Sequence, residues 1–311
     1  MGARARPARA RACVRSAMVT EEPPTGSVVV GTDGSANAEL AVDWAAREAA
    51  RRSAGLHIVY AFPWVTHAHA WDFAPPPEVT ETGERIVSAV VERVLESHPG
   101  LEVTRDVLVE SPAEALVEAS RRAVVVVVGS GGLGESDDAL MGSVAQKVAA
   151  HAACAVVVVR DVPPGGDTAP VVVGMDPEEG APEAMEYAFE EAARRGTDLV
   201  VVQASQDDHA LLEDIPVLGD HYREVARLHA EHTAERLQTW RRRFPHVPAE
   251  LRLVHERPVR ALVHAAAEAS IVVVGSRGRG GLAGLLLGSV SRGVANRAPV
   301  VAVVRTRHDA H

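Results

Sequence analysis

Two stretches of the chain, 146 residues apart, carry one glycine spacing directly behind a run of valines. The first is Gly129-Ser130-Gly131-Gly132, nine further residues, then Gly142-Ser143. The second is Gly275-Ser276-Arg277-Gly278, nine residues, then Gly288-Ser289. Each follows a continuous apolar run, Val124 to Val128 or Ile271 to Val274, of the kind that forms a strand buried on both faces. A glycine-rich turn leading from such a strand into a helix lets the backbone approach an anion, with the first amides of the helix pointing at it. Its recurrence in register implies a duplicated unit, with a candidate phosphate site in each copy.

The surrounding elements repeat in the same order. The first unit opens on Val28-Val29-Val30-Gly31-Thr32-Asp33, followed by a helical period over 36–52, a strand over 56–61 and a Pro- and His-rich loop over 62–77. A helix over 79–97, a strand over 103–109, a helix over 113–121, the valine strand, a helix over 143–151 and a last strand over 155–159 complete it. The second unit opens on Val171-Val172-Val173-Gly174-Met175-Asp176 and continues with a helix over 181–195 and a strand over 199–203. A helix over 219–243, a strand over 250–255 and a helix over 259–268 follow. Pro112 and Pro258 share the offset of 146, whereas Asp33 and Asp176 lie 143 apart, so a three-residue length difference falls between those points.

Strands alternating with helices predict an α/β chain of two repeated doubly wound domains. Each is expected to be a five-stranded parallel sheet with helices on both faces and its crevice at the carboxyl ends of the strands. The expected boundaries are 26–162 and 168–307. Residues 1–25, with five arginines and no acid before Glu21, read as a disordered or mis-assigned leader, with Met18 as an alternative start.

Composition narrows the function classes. A net charge of −10 disfavours phosphate-backbone binding to nucleic acid as the main role. No apolar run approaches the roughly 20 residues of a membrane-spanning helix. Two cysteines, Cys13 and Cys154, argue against a disulfide framework and for a cytoplasmic location. The P-loop pattern is absent, Lys147 being the sole lysine, and the dinucleotide fingerprint fails because it should follow the first strand. What remains is a backbone cradle after the fourth strand, with Ser143 or Ser289 placed to cap the next helix. His229 and His232 have zinc-compatible spacing, but their charged neighbours read as a solvated face. No catalytic constellation stands out.

With Val30-Gly31-Thr32-Asp33-Gly34-Ser35, the two Gly-x2-Gly-x9-Gly-Ser loops and the closing Val156 to Arg160, the sequence resembles a tandem universal stress protein over residues 26–307. The resemblance implies an adenine nucleotide alpha hydrolase-like fold and ATP binding; a Mg2+ ion is the group that would bridge the first loop's acids to a triphosphate. It implies that Asp33 and Asp176 meet the ribose or adenine, and that Ala61 and Ala204 lie by the base. Phosphates would be held by Gly129, Gly132, Gly142 and Ser143 in the first unit, and by Gly275, Arg277, Gly278, Gly288, Ser289, Val290 and Ser291 in the second. The family pairs domains through edge strands, so 155–159 and 300–304 are expected to join the halves and to support a homodimer. A stress or dormancy regulator acting through an unidentified protein partner follows from the same resemblance.

The two loops differ in charge. The first carries Glu135, Asp137 and Asp138, each repelling a triphosphate by roughly 1 kcal/mol. The second carries Arg277 and Arg279 and no acid, which favours it as the tighter site, against the Asp176-Pro177-Glu178-Glu179 departure at its first strand. Two rivals stay open: an ATPase or adenylate-transferring enzyme using the same cleft, and an interaction scaffold whose sites are degenerate.

Overall fold

The computed structural model describes residues 23–64, 77–132, 140–176, 181–204, 216–276 and 287–305. In the first unit the order is β1 (Val28–Gly31), α1 (Ala36–Arg52), β2 (Leu56–Ala61), α2 (Pro77–Ser97), β3 (Val103–Leu108), α3 (Pro112–Ala119), β4 (Val125–Gly129), α4 (Ser143–His151) and β5 (Ala155–Val159). The second unit repeats it as β6 (Val171–Gly174), α5 (Pro182–Arg195), β7 (Leu199–Ala204), α6 (Pro216–Arg243), β8 (Ala249–Val254), α7 (Pro258–Ala266), β9 (Ile271–Gly275), α8 (Ser289–Ala295) and β10 (Val300–Val304). Helices α3 and α7 begin on their prolines, whose missing N–H costs nothing at the first helical position.

All ten strands form one sheet in the order β3-β2-β1-β4-β5-β10-β9-β6-β7-β8. Within each unit every pairing is parallel, and β5 meets β10 antiparallel with Val159 opposite Val300 and Val156 opposite Val303. The strands joined at the centre therefore have both edges occupied within the chain. The expected joining of the halves is what the sheet displays. Among the described residues the outer strands of the sheet are β3 and β8, so a homodimer through sheet edges would use these and not the two strands singled out from the sequence.

Alternation along the strands sends side chains to two cores. Val28, Val30, Ile58, Val125 and Val127 pack beneath α1 and α2, and their counterparts beneath α5 and α6. Val29, Val59, Val126 and Val128 pack beneath α3 and α4, and their counterparts beneath α7 and α8. Central strands buried on both faces read as unbroken valine runs for this reason.

Where α1 meets α5, charge is buried. Glu48 and Glu191 are both fully buried, and each is held by arginines of both units. Arg52 donates to Glu48 (2.5 Å) and across to Glu191 (3.0 Å); Arg195 donates to Glu191 (2.6 Å) and across to Glu48 (3.3 Å). Each arginine also lies over an aromatic ring of the other unit, Arg52 over Tyr187 and Arg195 over Trp44. Burial alone would raise the Glu191 pKa, but Arg195, Arg52 and Arg194 overcome it and hold the carboxyl down to about 2.

Candidate functional site

The strand order reverses between β1 and β4, since the chain runs outward to β2 and β3 on one side and to β5 on the other. A crevice outside the carboxyl ends of the strands at that reversal is the expected ligand position in a doubly wound sheet. In the first unit it holds a cleft of about 280 Å³, near the lower end of small-ligand pockets, which run from roughly 300 Å³ upward. The ends of β1 and β2 supply Thr32, Asp33 and Ala61; β4 and its loop supply Gly129 and Gly132; α4 supplies Gly142 and Ser143 at its entry. All six first-unit residues expected from the sequence therefore line one cavity.

Local chemistry fixes their placement. Asp33 ends the first strand in a turn whose next residue, Gly34, has φ +81°, a conformation that favours glycine. Asp33 Oδ1 accepts the Ser35 amide at 2.9 Å, and Ser35 Oγ caps α1 through the Ala38 amide at 3.3 Å. The other carboxylate oxygen faces the glycine loop: a Cβ on Gly132 would stand 2.7 Å from Asp33 Oδ2. A Cβ on Gly129 would stand 2.8 Å from the carbonyl oxygen of Asn37 at the start of α1. Glycine is needed at one position for strand–helix packing and at the other to leave the cradle open beside the carboxylate.

The helix entry differs from the sequence expectation. Gly142, at φ −62° and ψ 161°, is the N-cap of α4, and Ser143 is the first helical residue and exposed. Gly288 and Ser289 stand in the same relation to α8. A glycine cap supplies no side-chain acceptor for the orphan amides of the first turn, which suits that turn to an anion. Gly142 is tied back to the strand end through its amide and the Ser130 carbonyl at 2.7 Å.

In the second unit Asp176, Ala204, Gly275, Gly288, Ser289 and Val290 occupy the corresponding ends of β6, β7, β9 and α8. Ser291 is buried and donates its hydroxyl to the Gly275 carbonyl at 2.5 Å, tying helix to strand end. Arg277 and Gly278 lie outside the described residues, as do Arg279, the acidic Glu135, Asp137 and Asp138, Pro177 to Glu179, and His67, His69 and Trp71 of the loop after β2.

Residues that the sequence reading passed over also shape the cleft. Leu116 of α3 fills its floor and would touch a Cβ on Gly31 at 2.8 Å. Its signal was weak, an apolar residue on a helix period, indistinguishable from ordinary core. Cys154 is half-buried, with its thiol pushed up to about 12 by burial, so it is a packing residue with no thiolate to offer. Among the described residues no group of three or more His, Cys, Asp or Glu is arranged to hold a metal. Among them, too, no helix is long and apolar enough to cross a membrane.

Comparisons with known proteins agree with this architecture. The sequence model of the universal stress protein family matches residues 25–160 and 168–305. A universal stress protein of Mycobacterium tuberculosis is 37% identical over 290 residues, covering 89% of this chain and 96% of the relative. One from Mycolicibacterium smegmatis is 37% identical over 294 residues, covering 90% and 97%. Among solved structures, a universal stress protein from Archaeoglobus fulgidus superposes with a TM-score of 0.63 at 18% identity, over 90% of this chain and 98% of that one, a likeness of fold. With two matched units and relatives aligned over nearly their full lengths, the chain belongs to the universal stress protein family, in its tandem form.

Proposed function

We propose that this protein binds ATP or a close adenine nucleotide and acts as a cytoplasmic stress or dormancy regulator whose partner binding depends on nucleotide occupancy. The observation that carries this reading is the convergence, on one cleft of the first unit, of the Asp33 carboxylate, the Gly129–Gly132 turn and the glycine-capped start of α4. A carboxylate at the end of β1 is suited to accept from ribose hydroxyls, and the uncapped amides of α4 are suited to phosphate oxygens. Ala61 leaves room for a flat base where a larger side chain would close the cleft. Mg2+ would offset the charge of Glu135, Asp137 and Asp138 against a triphosphate.

A second site belongs to the proposal. The arginines at 277 and 279, set against the three acids of the first loop, make the second unit the tighter of the two. Occupancy biases the order of the glycine loops, and through it the surface shown to a protein partner. Among the described residues lining the cleft, the Asp33 carboxylate is the one titratable side chain, and its assignment to the ribose sets a dedicated ATPase behind a binding role.

Calorimetric titration with ATP tests the reading. Two binding events are expected for the full chain, with the weaker lost in Gly142→Val and the tighter lost in Gly288→Val. An absence of binding in the millimolar range would sink the nucleotide reading and leave the scaffold. Phosphate release that disappears with one side-chain change in the cleft would favour the enzyme.

A further inference from the structure

Helix α4 points its N-terminus into the first unit's cleft, yet both of its ends are held by the second unit. One residue ahead of the Gly142 cap, the Met141 amide donates to Asn296 Oδ1 at 3.0 Å. Asn296 is the C-cap of α8, 155 residues away in the chain. The Met141 carbonyl accepts from Gln146 Nε2, and its side chain is buried in the core beneath α3 and α4. At the far end Arg305, directly after β10, donates to the carbonyls of His151 and Ala152 at 3.2 and 3.1 Å. A cation there complements the negative end of the helix.

The duplication shows that the fold does not require this clamp. At the offset of 146 the counterparts of Met141 and Asn296 are Leu287 and Ala150. An alanine side chain carries no acceptor, so Ala150 offers Leu287 no bond reciprocal to the one from Asn296. In the first unit the residue before the cap is thus fixed by a side chain of the other half of the molecule, one that the equivalent position 150 does not supply to Leu287. Fixing the residue before the cap presets the direction of the first-turn amides and removes part of the ordering cost of binding an anion there.

We infer that Asn296 of the second unit is a positioning residue for the first unit's cleft, so that this cleft is fully formed only when the two units are docked. The inference rests on the nucleotide reading for its ligand, and on the clamp alone for its geometry. By linkage, nucleotide in the first cleft also strengthens the docking of the units.

The test has two arms. In the ligand-free full chain, hydrogen exchange over residues 140–150 should quicken in Asn296→Ala, while that over 287–295 keeps its native rate. In a Gly288→Val background, where only the first cleft reads out, Asn296→Ala should weaken ATP binding up to about tenfold, the scale of one hydrogen bond. Asn296→Asp keeps an acceptor oxygen and should restore both readouts. Unchanged exchange over 140–150, or exchange raised equally in both units, overturns the inference. Altered exchange with an unaltered ATP affinity overturns the link to binding. If ATP binds to none of these proteins, the nucleotide reading fails, and the exchange arm still decides the clamp.

Discussion

Gly132 and Gly129 look alike in sequence and have different work. A Cβ on Gly132 would meet the tip of a side chain, Asp33, whose other oxygen holds the Ser35 amide; a Cβ on Gly129 would meet backbone at Asn37, which cannot give without moving α1. Gly132→Ala should therefore weaken ATP binding at the first site while moving the melting temperature little. Gly129→Ala should cost about 1–3 kcal/mol of stability through forced separation of β4 and α1. Paired thermal melts and ATP titrations check both, and a Gly129 variant as stable as the parent would contradict the packing argument. The repeated glycine spacing made these positions legible from sequence. The division of labour was not, because it depends on what stands 2.7 or 2.8 Å away in space.

At the scale of elements, strands and helices were readable because each carries its own period; boundaries moved by one to three residues, with Pro77, Pro112, Pro216 and Pro258 opening their helices ahead of expectation and α3 and α7 ending two residues short of it. The buried network between α1 and α5 was not anticipated, although its pattern stands in the open: Glu48-x-x-Arg51-Arg52 recurs as Glu191-x-x-Arg194-Arg195. Read along a single helix, it looks like ordinary exposed pairing three and four residues apart. Only the crossing of α1 and α5 turns it inward, with Arg52 reaching Glu191 and Arg195 reaching Glu48. Removing one carboxylate leaves buried guanidinium charge uncompensated, so Glu191→Gln should cost about 3–5 kcal/mol in urea unfolding. The Glu191 pKa is depressed in the folded chain, so its contribution is complete above the ordinary carboxylate value near 4.5 and is lost as pH falls toward about 2. Unfolding midpoints measured from pH 6 to pH 2 should fall in that lower window, and Glu191→Gln should flatten the fall.

Across the whole molecule, duplication supplies two half-sheets that would each end in an apolar edge, and the β5–β10 pairing removes both edges at once. The first unit alone, residues 18–162, would expose Val156 to Val159 along one edge together with the Glu48 surface of α1. It should sediment as a dimer or larger species, whereas a well-behaved monomer would contradict the single-sheet account. The tandem arrangement thus makes a pseudo-dimer whose halves have diverged, with the acidic loop and the Asn296 clamp on one side and the arginine loop on the other.

Whether the first unit's cleft is a nucleotide site is decided by native mass spectrometry. The full chain would be mixed with equimolar ATP, GTP and inorganic triphosphate, alongside Gly142→Val and Gly288→Val. A nucleotide site there should give mass additions of ATP in preference to the other two, two per chain at saturation and one in each variant. Retention of triphosphate without base preference, or no addition at all, would contradict it.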